Sequence, residues 1–191
     1  MSPLIIASTV LALGLYIPLC IQIVRGTAKQ NLTTWLLWAT LDLIVVATLI
    51  VQHGNFLLPI AYTLGSGITA LCIMRSKNAT WTWFESFVTF LVVVCLVIWT
   101  FSDAKSATVV SSIALVIAGI PQLVESYIEP WNTPIFIYVG YFTANGLSIL
   151  GAKNWSVEER FYPVCAAIFC LAVSTLALRK FWLKRGDVPV T

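Results

Sequence analysis

Charge is what this chain has least of. Only 10% of its 191 residues are Asp, Glu, Lys or Arg, while 59% are hydrophobic. Soluble domains carry about 25% charged residues, so the chain lacks the polar surface to cover itself in water. A net charge of +3 is also too small to suggest a nucleic-acid partner. Histidine is limited to His53, which excludes a histidine-based metal cluster or catalytic pair; its place at a helix end suggests an interfacial residue. Cys20, Cys72, Cys95, Cys165 and Cys170 fall inside apolar runs without paired metal spacing. They are expected to pack as small apolar groups, with neither a disulfide framework nor a metal site. Strand-like alternation is missing, which argues against a barrel. The first apolar run has no basic region before it and no cleavage site, so it is expected to be retained. No cofactor is implied.

What remains is long apolar segments. Seven are about 17–25 residues long, enough to cross ~30 Å of hydrocarbon as helices. They cover approximately 3–24, 33–52, 55–74, 84–101, 107–127, 133–152 and 160–181. The expected class is an all-α integral membrane protein with seven transmembrane helices in the lipid bilayer. Arg25, Lys29, Arg75, Lys77, Arg179, Lys180, Lys184 and Arg185 all follow odd-numbered spans on one face, against Lys105, Lys153 and Arg160 on the other. The positive-inside rule then puts the N-terminus outside or in a lumen and the C-terminus in the cytosol. Plasma and organelle membranes are not distinguished.

A shift of 103 residues lays "YIPLCIQIVRGTAKQNLTTWLLWATLDLI" over the segment that starts at "AGIPQLVESYIEPWNTP". Pro18 then meets Pro121, Gln22 meets Glu125, Trp35 meets Tyr138, Trp38 meets Tyr141, Thr40 meets Thr143 and Asp42 meets Asn145; at 104, Pro59 meets Pro163 and Arg75 meets Arg179. Ordered polar and aromatic matches at corresponding depths point to an internal duplication. The expected organisation is a first three-helix repeat over 1–77, a linker helix over 78–106, and a second repeat with a basic tail over 107–191. A single linker span leaves the repeats parallel, an arrangement in which a substrate site lies between the halves near the midplane.

Proline near the inner end of each triplet's first helix, complete as Pro121-Gln122 and degenerate as Pro18-Leu19, resembles the PQ-loop superfamily. The basic loop and aromatic-rich second helix that follow are similar to that family too. It includes the SWEET sugar facilitators and amino-acid exporters similar to cystinosin. The resemblance implies a transporter of a small polar solute, such as an amino acid, sugar or vitamin, working by alternating access. It also departs from the sugar branch: the third helices offer Thr63, Ser66, Cys165 and Cys170 but no asparagine at the depth where that branch has one.

Trp35, Trp38 and Asp42 are spaced i, i+3, i+7 and share one helical face, a spacing that Tyr138, Tyr141 and Asn145 repeat. At 1.5 Å per residue, Asp42 and Asn145 each reach about 15 Å into the hydrocarbon. An acid there costs about 2.5–3.5 kcal/mol on insertion scales, so Asp42 is expected to face a cavity or a partner. Asp42, Asn145, Trp38, Tyr141, Thr40 and Thr143 are therefore the candidate substrate or proton-coupling residues. Trp35 and Tyr138 are expected at headgroup depth, where aromatic belts form, as are Trp81, Trp83, Trp99, Trp131 and Trp155. Pro18 frees the carbonyl of Gly14 and Pro121 that of Ile117. These prolines, with Gln122 beside the loosened backbone, are the candidate hinge of an inner gate, and Glu125 lies nearer the cytosol.

Other classes fit less well. A retinal protein needs a deep lysine in the last span, and Lys180 lies at its end. A sorting receptor similar to the KDEL receptor is the strongest rival and would need a basic cavity, but no Lys or Arg lies deep in any span. No His, Ser or Cys constellation suggests an enzyme. Small solute, bilayer and coupling protons are the expected partners, and the plan is compatible with a homo-oligomer.

Overall fold

The computed structural model describes residues 2–28, 30, 32–75 and 83–182. Lys29, Lys77, Trp81, Lys184 and Arg185, used above for orientation and the aromatic belt, lie outside them. Every regular element among the described residues is helical. The helices are α1 (Pro3–Val24), α2 (Leu32–Val51), α3 (Leu57–Arg75), α4 (Trp83–Phe101), α5 (Ala104–Ala118), α6 (Ile120–Ile128), α7 (Ile135–Gly151) and α8 (Tyr162–Ala177). Tight turns at Pro130–Asn132 and Leu178–Phe181 and a wide turn at Val157–Phe161 complete the set. The expected apolar runs match these helices to within a few residues, and α5 and α6 together fill the fifth.

Among the described residues, five segments are long and apolar enough to cross a membrane: Pro3–Val24, Leu32–Val51, Leu57–Arg75, Ala104–Ile128 and Val157–Phe181. Ile135–Gly151 is a shorter apolar helix. The faces are inverted relative to a soluble bundle. On α1 the buried positions are Ile5, Ser8, Ala12, Tyr16, Leu19 and Ile23, at helical spacing, while Val10, Ile17 and Val24 are each more than 60% exposed. Polar Ser8, Thr48, Ser66, Asn145 and Ser148 are buried instead. This inversion suits helices whose outer surface meets hydrocarbon.

Local sequence sets the helix limits. Ser2 caps α1, accepting from the Leu4 N–H at 3.3 Å ahead of Pro3 in the first turn, and Gly26 (φ 69°) takes the chain away at the far end. Asp103 caps α5: its Oδ1 accepts the Ser106 N–H at 2.8 Å and its Oδ2 the Ser106 hydroxyl at 3.1 Å. The Ser106 backbone bond holds the Asp103 carboxyl below the usual range. The depressed value means that the cap's contribution is present above the ordinary carboxylate range and is lost as pH falls through the folded value.

Packing follows one scheme twice. α3 packs on both α1 and α2, and α8 packs on both α5 and α7. Across the centre α1 packs on α7 and α2 packs on α5, while α4 lies against α5 and α2. Under the shift of 103, α1 corresponds to α5 and α2 to α7, so both central interfaces join a first helix to the opposite second helix. Particular contacts correspond too. Thr108 donates to Thr48 at 2.8 Å between α5 and α2, and at the matching positions a Cβ on Gly151 would lie 3.0 Å from Ile5 Cγ1. Ser8 and Ser111 also correspond, and both are fully buried with hydroxyls that have no partner.

The closest helix approaches correspond with their side chains exchanged. A Cβ on Gly65 of α3 would enter the ring of Tyr16 on α1. At the matching positions a Cβ on Gly119 would enter the ring of Phe169 on α8. Ring and glycine have swapped helices.

The two prolines do not behave alike. α1 runs unbroken through Pro18, whereas the chain breaks at Gly119, two residues before Pro121, with φ −83° and ψ −5°. Tyr16 stands at the position matching Gly119 and is wedged against Gly65. The helical hydrogen bonds continue on both sides of Gly119, from its N–H to the Leu115 carbonyl at 3.2 Å and from the Leu123 N–H to its own carbonyl at 3.1 Å. Gln122 does not serve the loosened backbone: it is buried, with its Nε2 on Ser126 Oγ at 3.3 Å.

Candidate functional site

The bundle centre encloses a cavity of about 50 Å³, measured to the centres of water-sized spheres. A water needs roughly 10–15 Å³ on that measure, so the space suits a few waters or a compact group. It is lined from α1, α2, α3, α5, α7 and α8. Eight of its thirteen lining residues are aromatic, and the only charged group is Asp42. Among the described residues no Lys, Arg or His reaches it.

Asp42 is 2% exposed, and its Oδ1 accepts the Tyr162 hydroxyl from α8 at 2.7 Å. Asn145, fully buried, donates through Nδ2 to Tyr62 Oη on α3 at 2.7 Å and to the Tyr141 carbonyl of its own helix at 2.8 Å. The polar residue of each second helix thus bonds a tyrosine on the opposite third helix. The Tyr62 and Tyr162 rings, 6.2 Å apart, stand between the two pairs. Asn145 supports this wall from behind without lining the cavity, and its Oδ1 has no partner.

Trp38 and Tyr141 line the cavity as expected. The Trp38 indole also donates to the Leu115 carbonyl at 3.0 Å, tying α2 to the last turn before the Gly119 break. Replacing it with phenylalanine keeps most of the packing and removes the donor. Trp38→Phe is expected to cost about 1 kcal/mol, a typical net value for one hydrogen bond, read as a lower unfolding midpoint in detergent; an unchanged midpoint would make the bond energetically idle.

Thr40 and Thr143 are not part of the site. Both are exposed, and each hydroxyl bonds a carbonyl of its own helix, Leu36 and Val139 respectively, at 2.9 Å. Trp35 and Tyr138 move the other way. Each is 2% exposed and lines the cavity, so the headgroup-belt expectation is corrected for both, while Trp83 and Trp155 are exposed. Sequence reasoning also missed Tyr16, Tyr62, Tyr162 and Phe169 as lining residues. Tyr62 and Tyr162 could not be found from the shift, because their positions are one turn apart when the copies are aligned.

The rings stand steeply to one another. Trp35 and Trp38 meet at 84°, Trp38 and Phe169 at 79°, and Tyr62 and Tyr141 at 73°, with centroids 4.9–5.6 Å apart. These are edge-to-face arrangements, and they stiffen the wall. Unspent polar groups remain, since the hydroxyls of Tyr138 and Tyr141 have no hydrogen-bond partner. No family model, curated protein or solved structure matches this chain. The chemistry of the cavity is accordingly read from its own residues: a carboxylate, phenolic donors and aromatic surface.

Polar bonds close the end of the bundle near His53. Gln52 Nε2 donates to Thr108 Oγ1 at 2.7 Å and to the Ala104 carbonyl at 3.1 Å. Asn55 Nδ2 donates to Ser148 Oγ at 2.9 Å, and the Asn55 N–H meets the Glu158 carbonyl at 3.0 Å. Trp35 and Tyr138, near the starts of α2 and α7, place the cavity toward the opposite end.

Proposed function

We propose that the chain is a seven-span membrane transporter, two parallel helix triplets joined by α4, that moves a small solute by alternating access on the plan of the PQ-loop transporters. The observation that carries the reading is the central cavity, lined from both triplets and holding one acid among rings. Support for duplication comes from the paired crossings at Tyr16–Gly65 and Phe169–Gly119 and from the matched central interfaces. The bonds of Gln52 and Asn55 act as an outer seal, with the N-terminus outside and the C-terminus in the cytosol. Opening the other end requires α6 to swing about Gly119, and Asp42 is the coupling residue. Among side chains in the cavity it alone has an ordinary pKa on the acid side of neutral, since tyrosine and cysteine titrate higher. The receptor reading would need a cationic cavity wall, which is missing from the lining.

The test is uptake by the purified chain in proteoliposomes, using labelled sugars, amino acids and organic cations with and without a pH gradient. Saturable uptake of any one of them above empty liposomes supports transport, and none above background rejects it. Pro121→Ala restores a backbone donor next to the Gly119 break. It is expected to slow uptake several-fold while binding in detergent stays within about twofold; wild-type uptake would make the break purely structural.

A further inference from the structure

We infer that the central cavity is built for a small organic cation with a compact ammonium head, a ligand class that rests on the transport reading but is carried by the cavity's own chemistry. Asp42 is buried with one hydrogen-bond donor, Tyr162, and among the described residues no cation stands in the wall around it. A carboxylate in such a place needs a positive partner or a proton. Tyr16, Trp38, Tyr62, Tyr141 and Phe169 line the same cavity; Trp38–Phe169, Tyr62–Tyr141 and Tyr16–Tyr62 meet at 79°, 73° and 74°, and Tyr16–Tyr141 at 49°. Aromatic rings around an acid are the surface that recognises quaternary and tertiary ammonium groups, because ring faces attract a cation that hydrogen-bond donors cannot grip.

Other solutes fit this wall poorly. An anion has no positive group to meet. A zwitterionic amino acid would leave its carboxylate unpaired beside Asp42. A sugar would find rings to stack on, but would need more polar partners for its hydroxyls than Asp42, Ser66 and the phenols supply. A cation with one hydroxyl tail uses what is present: the head meets Asp42 and the rings, and the tail meets the unpartnered hydroxyl of Tyr138 or Tyr141. The small volume of the cavity favours a compact head over an extended ligand.

The experiment titrates full-length protein in detergent with choline and with its uncharged carbon isostere, 3,3-dimethyl-1-butanol, at fixed ionic strength, read by tryptophan fluorescence and calorimetry. Choline is expected to bind about tenfold or more tightly than the isostere, the scale of a desolvated cation–π contact. Asp42→Asn should lose most of that preference, and Trp38→Leu should weaken choline more than the isostere. Equal binding of the two ligands to the wild type would overturn the inference, and so would no saturable choline binding. The wild-type comparison holds even if a variant fails to fold. Proteoliposome uptake separates the two readings. Choline binding with no uptake of any solute in the panel leaves the cation site standing and removes transport. Carriage of a neutral solute with no choline binding removes the cation and leaves transport.

Discussion

Asp42→Asn is expected to leave the chain folded and to make uptake indifferent to a pH gradient. Gradient-driven accumulation should fall on the order of tenfold, which is the effect of about 1.4 kcal/mol. The substitution is nearly isosteric, and its amide oxygen still accepts the Tyr162 hydroxyl that bonds Oδ1 at 2.7 Å. What disappears is the only carboxyl group in the cavity lining. The second triplet already carries asparagine at the matching position, and Asn145 is fully buried there, so the fold accommodates an amide at this depth. An ionised acid in hydrocarbon costs about 2.5–3.5 kcal/mol, so the unfolding midpoint in detergent should hold or rise. Proton dependence that survives in the variant would take Asp42 out of coupling.

Gly119→Ala carries the largest expected cost in stability. Its Cβ would enter the Phe169 ring, which is 5% exposed and packed edge-to-face on Trp38. Forcing atoms into such a contact costs about 1–3 kcal/mol. Gly119→Ala should cost much less in a Phe169→Ala background than in the wild type, because the two residues share one crossing and such neighbours couple strongly. A sharper variant transplants the first triplet's solution. Gly119→Tyr with Phe169→Gly puts the ring on the first helix and the glycine on the third, as Tyr16 and Gly65 have it. The double variant should unfold well above Gly119→Tyr alone. If the two unfold together, the crossings are not interchangeable and the case for duplication weakens.

The helices were legible because an apolar run of about twenty residues is a strong signal, and its ends are marked by Ser2, Asp103, prolines and polar loops. The face of α2 was legible as well: Trp35, Trp38 and Asp42 lie on one stripe, and all three line the cavity. Depth alone misled for Trp35 and Tyr138. A stripe that faces the bundle centre stays buried to its end, whatever the height. Thr40 and Thr143 were drawn in by their match under the shift, yet two residues from Trp38 and from Tyr141 is the far side of a helix. The tyrosines that bond Asp42 and Asn145 come from helices more than eighty residues away in sequence, and only the packing of α3 and α8 brings them there. Helix periodicity says which way a side chain points, but not what it will meet.

The break at Gly119 has a mechanical consequence. α1 is one rod of 22 residues, while its counterpart is divided into 15 and 9 with a joint between them. Two elements aligned by the shift of 103 thus differ in continuity. If the chain transports as proposed, movement of the nine-residue arm would be felt first at Trp38, whose indole bonds the Leu115 carbonyl one turn before the junction.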